Sequence, residues 1–119
     1  MKKISLIIVS LFSVLAFSFS ANAIKVGALY LDTAGFFGEI KVGIEAAGAE
    51  EGIELTGANS QSDVAKESEF IDTLIAKGVD VVVMSPVSTD SSVAAVERLA
   101  EAGIPVVCYN TCLNDDDAS

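Results

Sequence analysis

The sequence contains no histidine. That absence removes histidine-activated nucleophiles, imidazole acid–base work and histidine zinc ligands from this chain. Positive charge is scarce as well: seven Lys and Arg stand against 17 Asp and Glu, for a formal net charge of -10. Two of the seven, Lys2 and Lys3, fall in an expected leader, so the remainder is more acidic still. A basic nucleic-acid footprint is therefore missing, and anionic surfaces repel such a chain. No G-x-G-x-x-G follows the first expected strand, and neither a Walker A run nor a G-x-S-x-G elbow occurs. Dinucleotide, P-loop phosphate and α/β-hydrolase chemistry lose their usual frames, and no cofactor is expected.

What is present is apolar and short. A hydrophobic content of 51% excludes a disordered tail, and 119 residues allow one domain at most, or a piece of a larger one. Met1-Lys2-Lys3 opens the chain with positive charge. Ile4 to Phe19 follows, with 12 apolar residues and four Ser in 16. Ala21-Asn22-Ala23 then gives a small-x-small cleavage signal. This order predicts a secretory signal peptide over 1–23, with Ile24 as the first mature residue. The run is short for a membrane span and has no basic stop after it, so the mature protein is not expected in the membrane.

A repeat organises the rest. Gly52-Ile53-Glu54-Leu55, Gly78-Val79-Asp80-Val81 and Gly103-Ile104-Pro105-Val106 share one pattern, with glycines 26 and 25 residues apart. Each Gly follows a helix-like stretch and precedes a β-branched run, as a left-handed helix stop should. Strands are expected over 24–31, 53–58, 79–85 and 104–109. Between them lie three amphipathic stripes. The first is Phe37, Ile40, Ile44 and Ala47. The second is Val64, Ile71, Leu74 and Ile75, capped by Asp63 or Ser62. The third is Val93, Val96, Leu99 and Ala100, capped by Ser88, Thr89 or Asp90. The order β-α-β-α-β-α-β predicts an α/β fold, an open parallel sheet with helices on both faces.

Such sheets bind ligands at the carboxyl ends of their strands. The rule singles out residues 32–37, 59–63, 85–90 and 110 onward. Phe37 opens the first helical stripe and is equally well a core residue. Phe36 has no place on that stripe and is expected to face the crevice, where an aromatic face stacks on the C–H face of a sugar or another flat ligand. Cys108 and Cys112 admit two readings: a disulfide, which export permits, or a buried thiol at Cys108. Two soft ligands without histidine argue against a metal site, and Asp115-Asp116-Asp117 reads as a solvated loop rather than a cation cage.

The ordered set of segments carries a resemblance. Lys25-Val26-Gly27, Gly35-Phe36-Phe37-Gly38 and Asn59-Ser60-Gln61-Ser62-Asp63 come first. The run Phe70 to Asp80, Met84-Ser85-Pro86-Val87 and Glu101 to Val107 follow. Together they resemble the type 1 periplasmic binding proteins, the ribose-binding-protein-like sugar-binding subunits of ABC transporters. Tyr30-Leu31-Asp32-Thr33 and Cys108 to Asn114 look like a little-characterised branch. The resemblance implies that residues 24–119 are a truncated N-terminal lobe of a two-lobed clamp. The complete protein would be a monomeric periplasmic protein that closes on a small molecule, a carbohydrate by this resemblance, and docks on a membrane permease. It implies sugar-ring stacking by Phe36 and Phe37, and a polar ligand contact at Ser85. Where the family usually carries an Asp-Arg pair, this chain has Asn110-Thr111, which cannot form a bidentate charged fork, so either the ligand differs from ribose-like sugars or Asp32 and residues of the other lobe take over. No catalysis is expected. The rival readings are a sensory module docking on a chemoreceptor or sensor kinase and, more weakly, an exported α/β enzyme.

Overall fold

The structure, a computed structural model, describes residues 21–113. Most of the expected leader and the Asp115–Asp117 run lie outside the described residues. Seven elements alternate: β1 (Lys25–Tyr30), α1 (Gly35–Glu50), β2 (Glu54–Asn59), α2 (Val64–Lys77), β3 (Val81–Met84), α3 (Val93–Glu101) and β4 (Val106–Cys108). The four strands form one parallel sheet in the order β2-β1-β3-β4. This is the α/β arrangement that the repeat predicts. β1, β3 and β4 are shorter than expected, and β2 keeps its expected length but starts one residue later. Pro105, expected inside the last strand, lies just before β4, where its carbonyl accepts from Val82 N–H at 3.0 Å.

The apolar runs explain the layers. Alternate β1 residues point to opposite faces. Leu29, Val82 and Met84 join Ile71 and Leu74 of α2, and Ala95, Val96 and Leu99 of α3, in one buried core cluster. Close approach of α2 to β1 depends on Gly27, where a Cβ would stand 2.7 Å from Leu74 Cδ1. On the other face α1 covers β1 and β2. There Val26, Val81, Val83 and Val107 remain beside Ile44 and Ala47 in an apolar groove of about 320 Å³. Ala47, expected on a buried stripe, is exposed because α1 spans only part of this face.

Helix ends follow local chemistry. Asp63 Oδ1 accepts from the Ala65 and Lys66 N–H groups at 2.8 and 3.1 Å, which caps α2. Gly78 closes α2 at φ 63°, in the left-handed region that a glycine enters without a Cβ clash. The expected cap of α3 is corrected. Its N-cap is Ser92, not Ser88, Thr89 or Asp90. Those residues form a turn of their own, because Ser88 Oγ takes the Asp90 and Ser91 N–H groups while Ser92 Oγ takes that of Ser88. Among the described residues no helix is long and apolar enough to cross a membrane.

Candidate ligand site at the carboxyl edge of the sheet

β1 connects outward to β2, and the chain then crosses over to β3 on the other side of β1. The strand order thus switches direction between β1 and β3. In an open α/β sheet that switch point leaves a crevice at the carboxyl ends, where neighbouring loops part. All six expected ligand residues lie at this edge: Asp32, Phe36 and Phe37 after β1, Ser85 after β3, and Asn110 and Thr111 after β4.

The loops form two groups. On the β1–β2 side, Asp32 Oδ1 accepts the Thr33 N–H at 2.6 Å, tightening the turn into α1. Asn59 ends β2 in register with Tyr30. Its Nδ2 donates to Thr33 Oγ1 at 3.2 Å and its Oδ1 accepts from Gln61 N–H at 2.9 Å. Buried Ser60 anchors the same loop through its hydroxyl, which donates to Tyr30 O at 3.2 Å. Phe36 is 65% exposed, whereas Phe37 is half-buried, and the rings meet edge-on at 5.3 Å. Phe36 is therefore open at the crevice rim, and Phe37 props it from behind.

On the β3–β4 side, Ser85 is buried and its Oγ accepts from Asn110 Nδ2 at 3.5 Å. The same amide donates to Thr111 Oγ1 at 3.2 Å. The structure thus brings Ser85, Asn110 and Thr111 together. Among the described residues no hydrogen bond joins them to Asp32. Asn110 has φ 64°, a left-handed conformation that Asn tolerates better than most residues. A disulfide joins Cys108 to Cys112 across this turn, with Cα atoms 5.6 Å apart.

Three further residues shape the site without having been singled out as ligand residues. Thr33 and Asn59 bridge two loops. Glu67, fully buried in the first turn of α2, accepts the Val87 N–H through Oε2 at 2.8 Å and so fixes the loop that carries Ser85. Its spacing offered a signal: Glu67 stands three residues after Val64 and four before Ile71, on the buried stripe of its helix.

Beside the crevice, a cavity of about 200 Å³ is lined by Tyr30, Thr33, Lys41, Glu45 and Asn59, among others. The Tyr30 hydroxyl is buried and has no hydrogen-bond partner among the described residues. Burial, assisted by the negative potential of Glu45 and by Tyr109, pushes this phenol up to about 12. Burial raises Tyr109 as well. Lys41 Nζ pairs with Glu45 at 2.8 Å and sits 5.8 Å from the Tyr30 ring centre. The crevice itself offers hydroxyls, an amide, one carboxylate and an open aromatic face. No arginine stands among them. This donor and acceptor set suits an uncharged polyhydroxy ligand better than an anion.

Residues 27–119 match the periplasmic binding protein domain family. The chain belongs to that family. It is 45% identical over 91 residues to the ABC transporter periplasmic-binding protein YphF of Escherichia coli, covering 75% of this chain and 28% of YphF. It is 30% identical over 93 residues to a xylitol-binding protein of Mycolicibacterium smegmatis, covering 78% of this chain and 27% of that protein. Among solved structures, a Mycobacterium smegmatis protein in complex with β-D-fucofuranose superimposes with a TM-score of 0.74 at 27% identity. That match covers 81% of this chain and 33% of the solved one. The chain thus spans less than a third of the length of both curated relatives.

Proposed function

We propose that this chain is part of the first lobe of a substrate-binding protein of an ABC importer, and that the complete protein binds a sugar or similar small polyol. The reading rests on one observation above the others. Ser85, Asn110 and Thr111 converge at the carboxyl edge of a family-matched parallel sheet, with Phe36 open at the rim of the same edge. In this reading residues 1–23 are a cleaved leader that delivers the protein to the periplasm, and residues 24–119 belong to the lobe. Asp32, Asn110 and Thr111 exchange hydrogen bonds with ligand hydroxyls, while the buried Ser85 hydroxyl holds the Asn110 amide in place. Phe36, backed by Phe37, covers the C–H face of the ring. The xylitol and fucofuranose named for two relatives support a neutral polyhydroxy ligand, as does the acidity of the chain.

The mechanism is closure rather than chemistry. Ligand held against this edge makes further contacts with a second lobe only when the two approach, and that difference in contacts favours the closed state. The closed form is then the species that a membrane permease recognises. The test is a thermal-shift screen of the full-length protein with D-ribose, L-arabinose, xylitol, myo-inositol and an equal number of anionic ligands. Ligand at ~100 times its Kd stabilises by about 2.7 kcal/mol, enough for a clear rise in melting temperature. A response confined to anionic ligands, or none to any neutral sugar or polyol, would sink the proposal.

A further inference from the structure

We infer that the Cys108–Cys112 disulfide is a positioning element of the ligand site, fixing the turn that presents Asn110 and Thr111. The inference rests on the ligand-site reading above and deepens it. Sheet pairing ends when Tyr109 N–H donates to Met84 O at 3.0 Å. Leu113 packs against the core cluster a few residues later. Between these anchors the turn has little to hold it. Thr111 N–H donates back to Tyr109 O at 2.7 Å, a local bond that does not tie the turn to the sheet. The bond from Asn110 to Ser85, at 3.5 Å, is at the outer limit of hydrogen bonding.

The backbone at Asn110 adds to the problem. Its φ of 64° lies in the left-handed region, which Asn tolerates better than most residues but does not hold by itself when unrestrained. The disulfide closes a ring from residue 108 to residue 112 around that residue, with one end covalently part of β4. It thereby removes most of the alternative conformations of the turn. This matters because the two side chains presented are neutral. A neutral hydrogen bond contributes little net free energy, so its value depends on not having to order the donor at the moment of binding. The clip supplies that order in advance.

Cys112 is exposed, so Cys112→Ser opens the ring and leaves the packing of Cys108 intact. The test compares full-length oxidised protein with the Cys112→Ser variant and the Cys108→Ala/Cys112→Ser double variant. Each is titrated calorimetrically with D-ribose, L-arabinose, xylitol and myo-inositol, and amide exchange is followed over residues 109–113. The expected result is affinity at least about tenfold weaker for the best probe, faster exchange in that segment, and an unliganded melting temperature that falls by only a few degrees. Equal affinity in variant and wild type overturns the inference, including the case in which melting alone falls, because the clip then serves only the fold. Should the double variant fail to fold, the single exposed substitution carries the comparison. Absence of binding to the oxidised wild type overturns the ligand-site reading, and this inference with it. That outcome is distinct from binding that does not depend on the clip.

Discussion

The carboxylate of Glu67 reaches 20 residues along the chain to accept the Val87 N–H at 2.8 Å, while its other oxygen stays buried without a partner among the described residues. One acid thus pins the start of α2 to the loop that delivers Ser85. Removing it leaves the half-buried Val87 amide without its acceptor. A fully buried orphaned donor costs about 1–3 kcal/mol, so Glu67→Ala is expected to destabilise by about 1 kcal/mol, read as a shift in denaturation midpoint. Glu67→Gln keeps an acceptor for Val87 and should cost less than Ala. An Ala variant as stable as wild type would show that the loop holds without this clamp.

Phe36 leads to the opposite expectation for stability. A ring that is 65% exposed contributes little to the core, so Phe36→Ala should alter folding stability by no more than about 0.5 kcal/mol. Ligand binding should weaken by about tenfold or more, since an aromatic contact of this type is worth on the order of 1 kcal/mol beyond the area it covers. Paired denaturation and calorimetry of the full-length protein separate the two effects. Loss of the fold would instead make Phe36 a structural residue.

Much of this architecture is legible in the chain itself. The Gly-then-β-branched repeat at residues 52, 78 and 103 marks three helix stops, and all three glycines have positive φ. The unbroken run Val81-Val82-Val83-Met84 announces a strand, but the cover on both faces that such a run implies is met only in part: Val82 and Met84 are buried, while Val81 and Val83 line the open groove. Strand ends are less legible, because pairing rather than hydrophobicity decides them. β4 pairs on one side only and keeps three residues. The edge rule for α/β sheets points to the loops of the site, but contacts across loops depend on register. The Asn59–Thr33 bond spans 26 residues and exists because Asn59 stands opposite Tyr30. Ser88 illustrates a local ambiguity: three consecutive capping residues competed, and a separate turn took them before α3 began.

Gly27 tests the packing of that core. It lies in β1, between β2 and β3, where an added Cβ would fall 2.7 and 2.9 Å from the two Leu74 methyl groups. Leu74 is itself almost fully buried and has little room to retreat. Gly27→Ala is expected to destabilise by about 1–3 kcal/mol through overpacking. Combining it with Leu74→Ala should give less than the sum of the two single effects, since the second substitution vacates the space the first one needs. Strict additivity in that double-mutant cycle would mean that the two side chains do not compete.

Tyr30 gives the chain an alkaline weak point whose sign is fixed. Its folded-state phenol is pushed up to about 12, above the ordinary value of 10.0, because burial and the nearby Glu45 disfavour the phenolate. The unfolded chain releases this proton near pH 10, while the folded chain retains it. Across that window the folded state binds more protons, so stability falls as pH rises and levels off only above the folded value. A shift of this size corresponds to about 2–3 kcal/mol lost between pH 10 and 12. The measurement is a comparison of two proteins. Tyr30→Phe removes a buried hydroxyl that has no partner among the described residues and should cost little at neutral pH. Denaturation of both proteins at stepped pH should show a steeper alkaline decline in wild type than in the variant. Parallel declines would mean that the phenol ionises as freely in the folded protein as in the unfolded chain.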